Sequence, residues 1–149
     1  SPISNSKLGT SVSAVSGANG FYILAGAPNG AFPGIAYLYH SASNGTLTEL
    51  ALTASDGSIN DEYGISVSID SGSDGIYALV GASDENSNRG AAYLYHSKSG
   101  EPFYIDSSGP VNQAWQRKLT ASAPYLASDR FGIIHSPRTA QLTCITRQV

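Results

Sequence analysis

The chain repeats itself at a long period. Gly9-Thr10-Ser11-Val12-Ser13 and Phe21-Tyr22-Ile23-Leu24-Ala25-Gly26-Ala27 recur 55 positions later as Gly64-Ile65-Ser66-Val67-Ser68 and Ile76-Tyr77-Ala78-Leu79-Val80-Gly81-Ala82. Gly34-Ile35-Ala36-Tyr37-Leu38-Tyr39-His40-Ser41 then recurs 56 positions on as Gly90-Ala91-Ala92-Tyr93-Leu94-Tyr95-His96-Ser97. A period of this length, holding several short apolar runs per copy, means that one supersecondary unit is used more than once. Any fold assigned to the chain must therefore be a stack or ring of like units.

A third copy opens and then diverges. Leu52-Thr53-Ala54-Ser55 returns as Leu119-Thr120-Ala121-Ser122, and Tyr63-Gly64 returns as Phe131-Gly132. After Gly132, Ile133-Ile134-His135-Ser136-Pro137 replaces the expected strand. These landmarks divide the chain into a lead-in (1–7), a first unit (8–62), a second unit (63–130) and a truncated or divergent third repeat (131–149). The second unit is the longer, mainly through an insertion around Gly100–Asn112.

Each unit reads as four short strands. In the second they are Ile65–Ile69, Tyr77–Gly81, Ala91–Tyr95 and Trp115–Ala121, rich in Val, Ile, Tyr and Leu and broken by Asp, Ser and Gly. Those are strand and turn signals. No run of helical period exceeds a turn or two. The Gly-Ala pairs closing the second strand of each unit are small enough to let neighbouring sheets approach closely. The class is all-β.

Four-stranded repeating units are the blades of a β-propeller. Tyr63-Gly64 and Phe131-Gly132 opening a unit, Gly26-Ala27-Pro28 closing strand 2, and Lys118-Leu119-Thr120-Ala121-Ser122 ahead of the next Phe-Gly resemble the FG-GAP repeat. That repeat builds the propeller of integrin α-subunits and of many bacterial surface and secreted proteins. Leu8-Gly9 departs from the pattern at the aromatic, and Gly81-Ala82-Ser83 at the proline. The resemblance covers roughly residues 8–132. It implies an extracellular, cell-surface or periplasmic binding or adhesion scaffold, engaging a protein or glycan through its loops. Two units and a stub do not close a ring of about 4–8 blades. The chain is therefore expected to be a fragment of a longer propeller, a unit that assembles with copies of itself, or a capped open form.

Charged residues are 13% of the chain and the net charge is −3, against roughly 25% charged in an average protein. No basic stripe offers itself to nucleic acid, and no run approaches the ~18 apolar residues of a membrane span. The single cysteine, Cys144, excludes an internal disulfide. Asn44-Gly45-Thr46 has the N-glycosylation pattern, which matters only in a eukaryotic secretory setting.

Calcium is the cofactor the resemblance implies. FG-GAP blades often carry an acidic loop between strands 1 and 2, a cage of hard oxygen ligands for a hard cation. Asp70-Ser71-Gly72-Ser73-Asp74-Gly75 keeps Asp70, Asp74 and the turn glycine, while Gly72 and Ala78 stand where two further ligands belong. The plain alternative is a tight hairpin turn that uses Asp and Gly for geometry. In the first unit Val15 and Asn19 occupy the matching places.

Two loops are candidates for ligand binding. Asp84-Glu85-Asn86 in the strand 2–3 loop offers clustered oxygens for a weak ion or a hydroxylated ligand, or else forms a solvated polar loop. The insertion carries Phe103, Tyr104 and Asp106, and loops on rigid scaffolds are where recognition concentrates. Tyr37, Tyr39, Tyr93 and Tyr95 suggest either a sugar-stacking platform or cross-strand packing. His40 and His96, each following a tyrosine pair, have no Cys or carboxylate nearby at ligand spacing. Catalysis is not expected: G-x-S-x-G, H-E-x-x-H and a phosphate-cradling glycine loop are all missing. Two further readings follow from the repeat: a lectin-like sugar binder that self-assembles from two-blade chains, with matching tyrosine sites in both units, and the propeller domain of a secreted enzyme.

Overall fold

The pleat of the two copies decides their pairing. In the computed structural model, which describes residues 7–28, 33–85, 89–98 and 116–121, eight strands form two separate four-stranded antiparallel sheets. The first contains β1 (Ser11–Gly17), β2 (Gly20–Ala27), β3 (Ile35–Ala42) and β4 (Leu47–Leu52). The second contains β5 (Tyr63–Gly72), β6 (Gly75–Ala82), β7 (Ala91–Lys98) and β8 (Gln116–Leu119). Both follow chain order, β1-β2-β3-β4 and β5-β6-β7-β8. These are β-propeller-type blades.

Strands β5 and β6 reach further than their apolar runs. Asp70, Ser71 and Gly72 pair with Tyr77, Ile76 and Gly75, leaving only Ser73 and Asp74 in the turn. A two-residue hairpin keeps its flanking residues in the ladder, so the expected break at Asp70–Gly75 shrinks to its middle. Gly75, at φ +149, supplies the conformation the turn needs, and a Cβ there would stand 1.8 Å from the Ser97 carbonyl oxygen.

Alternation sends one face of each sheet inward. On the first sheet Leu24, Leu38 and Leu50 lie in one cross-strand row, flanked by Tyr22, Ala36 and Leu52. On the second, Val67, Val80 and Tyr93 form one row, and Ile69, Ala78 and Tyr95 the next. These two faces pack together into one buried core. Removing a leucine or valine side chain from water in this way stabilises the fold by about 1.5–3 kcal/mol each.

The sheets meet most closely along β5. Two extra residues, Gly64 and Ile65, interrupt the β5–β6 register between Tyr63 and Ser66. Bulges of this kind re-aim the chain. Gly64, at φ +91, presents its carbonyl to the first sheet, where the Ser11 hydroxyl donates to it at 3.1 Å. Ile69 N–H donates to Ser13 Oγ at 3.2 Å. The Tyr63 N–H donates to the Pro33 carbonyl at 2.9 Å, and Gly34 forms a parallel bridge with Tyr63. Among the described residues no helix is long and apolar enough to cross a membrane.

Candidate functional site

Antiparallel order puts the candidate residues at opposite ends of the second sheet. The β5–β6 hairpin, with Asp70 and Asp74, lies at one end. Asp84 and Glu85, in the β6–β7 connection, lie at the other, beside the β4–β5 connection. Asn86, Phe103, Tyr104 and Asp106 lie outside the described residues, as does the third repeat.

At the hairpin end Asp74 Oδ2 accepts a hydrogen bond of 2.6 Å from the Tyr77 hydroxyl, which holds its carboxyl below the usual range. His96 Nε2 lies 3.7 Å from the same oxygen. The His96 ring stacks on Tyr77 with centroids 4.3 Å apart and planes at 10°. The first unit repeats the stack, with Tyr22 and His40 at 4.3 Å and 11°. There Asn19, in the place of Asp74, lends its backbone carbonyl to His40 Nε2 at 3.0 Å. The hairpin register thus gives His96 a carboxylate neighbour 22 positions away, which linear spacing concealed. Asp70 Oδ1 accepts from the Ser71 N–H at 2.8 Å. Among the described residues no three His, Cys, Asp or Glu side chains stand together as a metal site.

The other end holds a connected polar network. Glu85 is buried, which removes the solvated-loop reading for this residue: its carboxylate turns inward to Tyr93 and Lys118. The Tyr93 hydroxyl lies 2.8 Å from Asp56 Oδ1 and 3.0 Å from Glu85 Oε2. Lys118 Nζ bridges the same pair, pairing with Glu85 Oε1 and, at 2.6 Å, with Asp56 Oδ2. Burial by itself would lower the Lys118 ammonium, but its hydrogen bonds to the two carboxylates prevail and raise it. Burial would likewise raise Asp56, and the bonds from Lys118 and Tyr93 hold it low instead. Burial, then the bond to Asp56, pushes the Tyr93 phenol far above its ordinary range.

A second chain of bonds adjoins it. Tyr95 donates to the Thr53 carbonyl at 3.1 Å and accepts from the Tyr63 hydroxyl at 2.5 Å. Gln116 donates through Nε2 to Thr53 O and to Tyr95, and accepts from the Ser55 N–H at 3.0 Å. Both networks fasten the β4–β5 connection, which leaves the first sheet, to β7 and β8 of the second. Tyr93 and Tyr95 are 0% and 1% exposed, so neither offers a face for a sugar to stack on. Their counterparts Tyr37 and Tyr39 are half-buried, with rings 6.4 Å apart.

The aromatic-glycine pair is thus the hinge of the arrangement: Tyr63 anchors the network and Gly64 seats against the Gly-Ala pair of the preceding sheet. The FG-GAP repeat family matches residues 48–95, which run from β4 through β7 and contain this junction. The chain carries an FG-GAP repeat. The matched segment spans two sheets, taking β4 of the first with β5, β6 and β7 of the second. No curated protein matches the chain.

Asp56, Lys118, Gln116 and Thr53 were not singled out from sequence. Asp56 is not repeated, since Ala123 holds the matching place in Leu119-Thr120-Ala121-Ser122-Ala123. A lone acid breaking an otherwise repeated segment was the available signal.

Proposed function

We propose that this FG-GAP repeat chain is a non-catalytic binding scaffold of a surface or secreted protein, engaging a protein or glycan through its loops. The observation behind this reading is the pair of networks at Tyr93 and Tyr95. They tie a carboxylate pair, a lysine and three tyrosines to one another and to a loop backbone. Groups engaged in this way hold loops in place, and rigid loop placement is what recognition requires. Fold analogy supplies the adhesion role. Calcium at Asp70 and Asp74 is a secondary element of the reading, checked by a rise in melting temperature on adding calcium.

The test is binding of the purified chain to a glycan array and to a panel of immobilised extracellular-matrix proteins. A specific ligand whose binding is lost in Asp84→Ala or in Phe103→Ala/Tyr104→Ala, with the melting temperature unchanged, is the expected result. Binding to no member of either panel, or binding insensitive to both variants, overturns it.

A further inference from the structure

The two tyrosine–histidine stacks are built alike, but only one of the two histidines is satisfied. Tyr22 pairs with His40 across β2 and β3, and Tyr77 with His96 across β6 and β7. Residues directly opposite share a face of the sheet, and both pairs of rings stack with centroids 4.3 Å apart. In the first unit the Asn19 carbonyl lies 3.0 Å from His40 Nε2. Asp74 stands in the place of Asn19, and its Oδ2 lies 3.7 Å from His96 Nε2. That separation is too long for a hydrogen bond. Among the described residues His96 Nε2 is buried and makes none. A buried nitrogen left in this state needs a physical reason.

The separation is one that a small metal ion spans. Zinc lies about 2.0–2.1 Å from an imidazole nitrogen and about 2.0–2.2 Å from a carboxylate oxygen. With the two donors 3.7 Å apart, such bonds meet at roughly 125°, an open tetrahedral angle. Tyr77 orients both donors: its ring carries the imidazole, and its hydroxyl donates to Asp74 Oδ2 at 2.6 Å. Outer partners of this kind hold metal ligands in place. Asp70, opposite Tyr77 in the register, adds a second carboxylate to the same face. The Asp74 side chain is 61% exposed, which gives an ion a path in and water a place in its shell. A nitrogen donor selects zinc or a neighbouring transition metal, whereas calcium takes oxygen.

We infer that Asp74 and His96 form a solvent-open, two-residue site for a divalent transition metal, with zinc the leading ion and Tyr77 as its support. The Tyr22–His40 stack offers no such site, because a backbone carbonyl already engages the imidazole. The inference goes beyond the scaffold reading and gives Asp74 an ion of a different class from calcium.

Zinc chloride titrated into the full chain, with the imidazole resonances followed by NMR, tests it. The His96 signals are expected to shift to saturation while those of His40 stay in place. Asp74→Asn, which keeps the size of the side chain and removes its charge, should abolish the saturable shift. Tyr77→Phe keeps the stack but frees Asp74, and should weaken zinc binding about tenfold. Circular dichroism confirms that both variants are folded. His96 signals that zinc does not move, a shift that Asp74→Asn leaves intact, or an equal shift with calcium chloride each overturn the inference. None of these results bears on binding of a glycan or protein, so the scaffold reading stands or falls separately.

Discussion

Gly26 has no room for a side chain, because a Cβ there would stand 1.9 Å from the carbonyl oxygen of Gly64. The obstacle is backbone from the neighbouring sheet, held by the Ser11 hydroxyl, and not the yielding end of a side chain. Gly26→Ala should therefore force the sheets apart and cost about 3 kcal/mol, the upper part of the range for overpacking. Chemical denaturation of the variant measures this. Gly45→Ala is the control: it meets no atom but adopts φ +84, and should lose only about 1 kcal/mol to backbone strain. Equal losses in the two would refute the close-approach account.

Glu85 depends on Lys118. Lys118→Met should leave a carboxylate buried without its cation and cost about 3 kcal/mol, the low end for breaking a buried pair. Replacing both partners, Lys118→Met with Glu85→Gln, should recover more than half of that loss. A double-mutant cycle by urea denaturation reads the coupling, and simple additivity would show that the pair does not interact.

Tyr95→Phe removes the hydroxyl shared by Tyr63, Thr53 and Gln116. Thr53 O keeps its bond from Gln116, so the loop stays attached, but the buried Tyr63 hydroxyl loses its acceptor. The expected cost is about 1–2 kcal/mol, with faster amide exchange at Ser55, whose N–H rests on Gln116. Unchanged exchange there would mean that Tyr95 does not position Gln116.

High pH should unfold the chain over a defined window. Burial pushes Tyr95 from 10.0 up to about 12, and Tyr63 and Tyr93 are raised as well. In each, the folded state holds its proton more tightly than the unfolded state. The associated stability is complete below pH 10 and is lost as pH rises toward 12, because the unfolded state ionises first. Absorbance titration should show the exposed members of the nine tyrosines ionising early and the buried ones together with loss of circular dichroism. Smooth independent titration of all nine would contradict the buried networks.

The duplicated segments by themselves determined the number of units, four strands in each, and the all-β class. Periodicity survives in sequence because each strand's alternation and each Gly-Asp turn acts over a few residues. The Gly-Ala pairs also announced close sheet packing, since small residues at the same place in both copies have few other uses. Environment was not legible in this way. Tyr37 and Tyr93 hold the same position in their units, yet one is half-buried and the other fully enclosed. The difference comes from what covers each face, and that is set by residues distant in the chain. The same holds for Glu85, which a linear reading groups with Asp84 and Asn86 as a polar loop. Only the tertiary structure brings Asp56 and Lys118, 62 positions apart, to within a hydrogen bond of each other. The sequence carried the local geometry of each sheet, and the packing of one sheet on the next decided which of its repeated residues became core, clamp or open surface.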